Sequence, residues 1–220
     1  MQSFIKIILF FLIIALPVHA DNLQQRFNPK LEYKNKVISW KELHNQGVIR
    51  QKLDASCGAA ALGTILKYYY GLDVTEEDMM RSAAKKEWFS FADMVTVLEK
   101  YNFKGIGLAL NFEQLRQIKV PAVVFIKTRS LPHFAVLRSI TDNYVVLADP
   151  AHGNNRYPVD KFLEKWNTRD DPNYSGKILV PLPLETANKL NIQKNYFNNV
   201  AEINDLAKKF VNVRRTLLFY

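Results

Sequence analysis

The chain has a single cysteine, Cys57, among 220 residues, so no disulfide can form within it. Nor does it hold a long run of one charge. The net charge is +9, yet the basic residues are scattered, with no stretch longer than the pairs Lys85-Lys86, Lys208-Lys209 and Arg214-Arg215. A stripe of the kind that tracks a phosphate backbone is thereby excluded, and no nucleic-acid partner is expected. There is no internal repeat and no low-complexity tract. The one long apolar run, Ile7 to Leu16, is too short for a membrane span, which takes roughly 20 residues, and Pro17 ends it.

That run has the features of an export signal: Lys6 before it and Val18-His19-Ala20 after it, the small-residue pattern of a cleavage site. The expectation is a signal peptide over residues 1–20 cut after Ala20, no stable membrane span thereafter, and a periplasmic or secreted protein. No cysteine follows Ala20 closely, so a lipid anchor of the bacterial kind has no attachment point. Loss of Lys6 takes the net charge to +8, which describes a solvated basic surface better than a binding patch.

Four regions follow from composition and periodicity: the leader (1–20), a polar lead-in (21–44) with Ile38-Ser39-Trp40 as a short strand, a main domain (45–183) and a C-terminal extension (184–220). The extension is rich in asparagine, has no glycine or proline, and is expected to be helical around 201–211. In the main domain Leu62, Ile65, Leu66 and Tyr69 fall at helical spacing after Cys57, with Gly71 as a C-cap. Capping patterns mark three more helix starts: Thr75 with Asp78, Ser90 with Asp93 and Asn111 with Gln114. After Pro121 the sequence turns to short β-branched and aromatic runs, 122–126, 133–140, 144–149 and 177–182, which should pair as an antiparallel sheet. Helices first and strands second, without alternation, predict an α+β fold.

The chemistry centres on Cys57. A thiol gains nucleophilicity at a helix N-terminus, where unpaired amides and the helix dipole favour the thiolate. Gly58 and Ala59 after it allow either close approach of a substrate backbone or tight helix packing. A cysteine nucleophile needs a base. Of His44, His133 and His152, only His133 opens a periodic strand, in which His133, Ala135 and Leu137 share a face; His152 is the second choice. Asp149, ending the next strand, could orient the imidazole. If Thr141-Asp142-Asn143 is a three-residue hairpin loop with Asn143 left-handed, Ile140 pairs with Tyr144, and His133 and Asp149 are diagonal neighbours on one face. A two-residue loop would separate them. Gln51, upstream in the loop entering the helix, could point an amide donor at a developing oxyanion beside the Cys57 backbone amide.

Residues 51–62 (QKLDASCGAAAL), the helix end at 66–71 (LKYYYG), His133-Phe-Ala-Val-Leu and Val146-Leu-Ala-Asp149-Pro150 together resemble the peptidase C39 family, the double-glycine leader peptidases of papain-like fold. The resemblance covers roughly residues 45–182. It implies a papain-like cysteine peptidase with Cys57 as nucleophile, His133 as general base, Asp149 as orienting residue and Gln51 in the oxyanion hole, with no metal, cofactor or ATP. Where many members have a Gly-Ser-like element before the third helix, this chain has Trp88-Phe89-Ser90-Phe91. Members fused to export ATPases cut leaders on the cytoplasmic side, whereas an exported form would meet a protein or peptide substrate outside. The expected function is cleavage of a secreted or surface protein, at a Gly-Gly or other small-residue site. Two alternatives stay open: a papain-like module that binds peptide without cutting it, and an amidase or acyl transferase acting on cell-wall peptide.

Overall fold

The computed structural model describes residues 38–84, 88–128, 131–184 and 190–198. The leader, most of the lead-in and the expected helix at 201–211 lie outside the described residues. Helices α1 (Trp40–His44), α2 (Cys57–Tyr68), α3 (Glu76–Ser82) and α4 (Phe91–Lys100) precede strand β1 (Phe103–Leu110) and the short α5 (Phe112–Leu115). Strands β2 (Ala122–Lys127), β3 (Pro132–Ile140), β4 (Tyr144–Asp149) and β5 (Gly153–Pro158) follow, then α6 (Val159–Trp166) and β6 (Gly176–Pro183). The strands form one sheet in the order β1-β6-β2-β3-β4-β5, antiparallel at every pairing.

The three expected capping boxes all form. Thr75, Ser90 and Asn111 each accept from the backbone of the residue three further on, which returns a side-chain bond to the cap amide. A fourth corrects an expectation. Residues 38–40 are not a strand: Ser39 caps α1 through Glu42, because a Ser-x-x-Glu pair offers the chain more than a three-residue strand with no neighbour. Two strands escape the sequence pattern. In β1, Gly105 and Gly107 break the alternation, and Gly105 is required because a Cβ there would stand 2.9 Å from Val95. β5 is polar because it is an edge strand, paired with β4 alone.

Helix α2 is the central element. Its predicted apolar stripe, Leu62, Ile65 and Leu66, is fully buried, but so is the opposite side from Cys57 to Thr64. The small residues there admit neighbours from all directions. Gly63 lies against Ile49 and Met79, and Gly58 against Phe89, Met94 and Phe134. Gly58 is therefore a packing glycine, where a Cβ would come within 2.7 Å of Phe89. Gly71 takes the left-handed conformation expected of a C-cap, φ +74°. α2 rests on β3 and β2, α4 on β1, and α6 on β2, β4 and β5.

Gly176, where β6 begins, gives the fold its sharpest steric test. A Cβ there would lie 2.0 Å from the ring of Trp166, which is fully buried and donates its indole N–H to Lys177 O at 3.3 Å. Overpacking of this kind costs about 1–3 kcal/mol. At about 2–4 °C per kcal/mol for a domain of this size, Gly176→Ala should lower the thermal midpoint by several degrees, and an unchanged midpoint by circular dichroism would contradict the packing described.

The β3–β4 hairpin differs from expectation in an instructive way. Its loop has two residues, Asp142 and Asn143, not three. Thr141 N–H donates to Tyr144 O at 2.9 Å, Tyr144 N–H donates to the Thr141 hydroxyl at 3.1 Å, and Asn143 is not left-handed. Next to the turn, Ile140 pairs with Val145 and Ser139 with Val146, one residue away from the predicted register. Continued inward, that register would place Asp149 opposite Val136, on the sheet face away from His133. A β-bulge between Leu137 and Ser139 takes up the difference. Beyond it Leu137 pairs with Leu147 and Val136 with Ala148, which brings Asp149 level with Ala135. The loop expectation fails, and the bulge restores the register it was meant to supply.

Candidate active site

Cys57 is the first residue of α2 and is 8% exposed. Unlike α1, α3, α4 and α5, this helix has no side-chain cap. Ser56 turns its hydroxyl back on the loop, donating to Leu53 O at 2.7 Å and accepting from Leu53 N–H at 3.3 Å. The first-turn amides, which have no partner within a helix, are thus without a competing side-chain cap.

His133 and Asp149 meet as buried neighbours: the imidazole Nε2 lies 2.8 Å from Asp149 Oδ1. Both side chains are almost fully enclosed. Nε2 being taken by the carboxylate, Nδ1 is the ring nitrogen left free of Asp149, and Cys57 is among the groups that act on the imidazole's charge. Burial lowers the His133 pKa. The hydrogen bonds to Asp149 and Cys57, and the charges of both, outweigh it and push the imidazole up to about 9. Asp149 responds in the opposite sense. Burial raises its pKa, but the His133 hydrogen bond and charge, the Ala151 amide and the nearby His152 bring it below the ordinary carboxylate value.

The other sequence candidates fall as follows. His152 sits beyond Asp149, its Nδ1 3.2 Å from Oδ2 and its side chain 70% exposed; it touches the acid from outside. His44 stacks on Trp40 and contacts His152 O at 2.6 Å through Nε2. The Gln51 amide donates to Leu53 O at 3.0 Å and Asp54 O at 3.3 Å, while its Oε1 is buried with no hydrogen-bond partner among the described residues. In this structure its donors are turned into its own loop. In the segment that replaces the Gly-Ser-like element, Phe89 packs on Gly58, Phe91 meets Phe134 edge-on at 4.9 Å, and Trp88 is exposed.

Two residues that tie the site together are not evident from the sequence. Arg50 donates through Nε to Pro150 O at 2.9 Å and through Nη2 to Ala151 O, and the Gln51 backbone N–H also donates to Pro150 O at 3.0 Å. The cysteine loop is thereby fastened to the turn that follows Asp149. Glu76, buried at 4% exposure, accepts the Lys52 amide with both carboxylate oxygens and fixes the same loop from the other side. No local pattern marks either residue, because each acts on backbone groups distant in sequence.

A helix headed by cysteine, laid against an antiparallel sheet whose adjoining strand carries histidine, is the layout of the papain-like cysteine peptidases. Within that class the chain belongs to the peptidase C39 family, whose model matches residues 45–169. It is similar to the probable functional amyloid protease FapD of Pseudomonas aeruginosa, 35% identical over 145 residues, 62% of this chain and 64% of that protein. The corresponding protein of Pseudomonas fluorescens is 36% identical over 140 residues, 60% of this chain and 62% of that protein. The chain thus matches less than two thirds of the length of these relatives. Among solved structures, a double glycine motif protease from an AMS/PCAT transporter, in complex with the leader peptide, superposes with a TM-score of 0.52 at 23% identity, covering 62% of this chain and 91% of that one. The peptidase domain of Streptococcus ComA gives 0.52 at 17% identity, covering 62% and 98%. These likenesses show the fold. Among the described residues no helix is long and apolar enough to cross a membrane.

Proposed function

We propose that this chain is an exported endopeptidase that cuts an exported polypeptide by a Cys57–His133–Asp149 mechanism. The observation that carries the reading is the buried His133–Asp149 contact of 2.8 Å, with Cys57 among the groups that raise the imidazole's pKa. The Cys57 thiolate attacks the peptide carbonyl carbon. The tetrahedral oxyanion is met by the Cys57 amide at the uncapped helix start, and as the C–N bond breaks His133 gives its proton to the leaving amine. His133 then deprotonates water, which attacks the thioester, and the carboxylate product leaves with the thiolate restored. Asp149 holds the ring in register throughout.

Export is supported by the apolar leader with its Val18-His19-Ala20 ending. The likeness to the probable functional amyloid protease FapD supports a substrate in a functional amyloid system, and the small-residue cleavage preference follows from the family resemblance. Incubating the purified protein with co-exported candidate proteins, with Cys57→Ala as control, tests this: fragments with new N-termini after small residues are expected, and cleavage only of cell-wall peptides would replace the peptidase assignment.

In this reading Gln51 supplies the second oxyanion donor once its amide turns from Leu53 and Asp54 toward the substrate. Gln51→Ala should then lower kcat by about 10²–10³-fold, the usual cost of one oxyanion donor, with little change in KM. A loss below tenfold would leave the Cys57 amide as the main donor and Gln51 as a loop residue.

A further inference from the structure

The β3–β4 bulge that brings Asp149 to His133 is held by residues outside the matched family region. Strand β2 accompanies β3 only as far as the Ala122–Leu137 pair, so the bulge has no β2 neighbour at Arg138 or beyond. Asn198 takes that place. Its backbone N–H donates to Arg138 O at 2.9 Å, and its side-chain Oδ1 accepts from Ile140 N–H at 3.1 Å. One asparagine thus grips the backbone on both sides of Ser139. It does so in the left-handed conformation, φ 54°, which asparagine tolerates better than most residues.

The bulge residue is fixed from the same segment. Arg138 is buried, its guanidinium lies 4.7 Å over the Tyr196 ring, and its Nε donates to Tyr196 O at 3.4 Å. Nη1 donates to Asn154 Oδ1 at 2.9 Å and Gln46 O at 3.2 Å. Residues 190–198 are anchored elsewhere as well. Gln193 N–H donates to Tyr69 O at 2.7 Å, and the Tyr196 hydroxyl donates to Gly47 O at 2.9 Å. The segment is a strap running from the end of α2 to the bulge.

We infer that Asn198 is a positioning residue for the His133–Asp149 pair, acting by holding the one-residue bulge in β3. The physical reason is the period of a strand. Without the bulge the two-residue turn dictates a register in which Asp149 faces away from His133, and a slip of one residue moves every side chain of β4 to the other face. The strap biases the hairpin toward the register that joins acid and base. The inference rests on the reading of His133 and Asp149 given above, and its test needs no substrate.

The test follows the His133 imidazole by NMR against pH, assigned by its absence in His133→Gln, in the purified protein and three variants. Asn198→Gly keeps the backbone bond to Arg138 and suits the positive φ, but removes the acceptor for Ile140. Asn198→Asp keeps that acceptor. Tyr196→Phe removes the bond to Gly47 and weakens the strap away from the bulge. His133 is expected to titrate near 9 in wild type and Asn198→Asp, and at least one pH unit lower in Asn198→Gly. Tyr196→Phe should lower the thermal midpoint and leave the titration in place. The inference is overturned if Asn198→Gly titrates like wild type, or if Tyr196→Phe shifts His133 as far. Should Asn198→Gly fail to fold, amide exchange in wild type decides: protection of Ile140 N–H comparable to the strand interior supports the clamp, and free exchange defeats it. Absence of cleavage by a wild type whose His133 titrates as expected would count against the peptidase reading and leave the clamp standing.

Discussion

Replacing His133 by alanine should lower cleavage by on the order of 10⁴-fold or more, the scale seen when a nucleophile loses its base. The loss should appear in kcat, since in the proposed mechanism His133 acts on protons during reaction, and at 8% exposed it is too enclosed to contribute much binding surface. Alkylation of Cys57 by iodoacetamide at neutral pH should slow more than tenfold in the same variant, because the proposed mechanism relies on His133 to activate the thiol. The fold should survive. Asp149, deprived of its ring, keeps the Ala151 amide at 2.8 Å and the His152 amide at 3.2 Å, so the carboxylate is not left without donors. A variant with normal circular dichroism, unchanged cleavage and unchanged alkylation would remove His133 from the mechanism and return the choice to His152.

The second large effect concerns Asp149 and pH. With the imidazole held up to about 9, the alkaline limb of kcat/KM should fall there in wild type, as His133 loses the proton that the proposed mechanism has it give to the leaving amine. Asp149→Asn removes the carboxylate charge while burial, which lowers the His133 pKa, stays. The limb should therefore move toward acid, in the direction of the unperturbed histidine value of about 6.5. Asparagine retains a hydrogen-bonding oxygen and so preserves part of the ring's orientation. Asp149→Ala does not, and should show the larger loss of kcat. The stability linkage has the matching sign. Protonated His133 contributes stability that is complete below about pH 6.5 and disappears as pH rises through about 9, and ionised Asp149 contributes stability present above about pH 4 that is lost on acidification. Wild type should thus be most stable between these limits, and Asp149→Asn should show a weaker dependence. A limb that stays near 9 in Asp149→Asn would show that the acid does not set the imidazole's charge.

A single thiol in a chain of mixed charge, a helix beginning at that thiol and capping pairs before three further helices are local features, and each of them can be read without a neighbour. The pairs Thr75–Asp78, Ser90–Asp93 and Asn111–Gln114 form because both partners lie within one turn of chain. The four hydrophobic strands were legible for the same reason. β1 and β5 were not, since their glycines and polar residues reflect what packs beside them, as Gly105 does under Val95.

The site divides in the same manner. The sequence by itself determined that Cys57 heads a helix and that His133 and Asp149 lie on neighbouring strands, because a helix start and a strand period are properties of contiguous residues. Only the tertiary structure decided that the acid meets the base. The two-residue turn would have parted them, and the bulge at Arg138, gripped by Asn198 from some sixty residues away, joined them. It also turned the Gln51 amide into its own loop and fastened the cysteine loop through Arg50 and Glu76. The bulge and the fastening of the cysteine loop depend on which distant backbone groups are left in need of a partner, and no local pattern of residues records that.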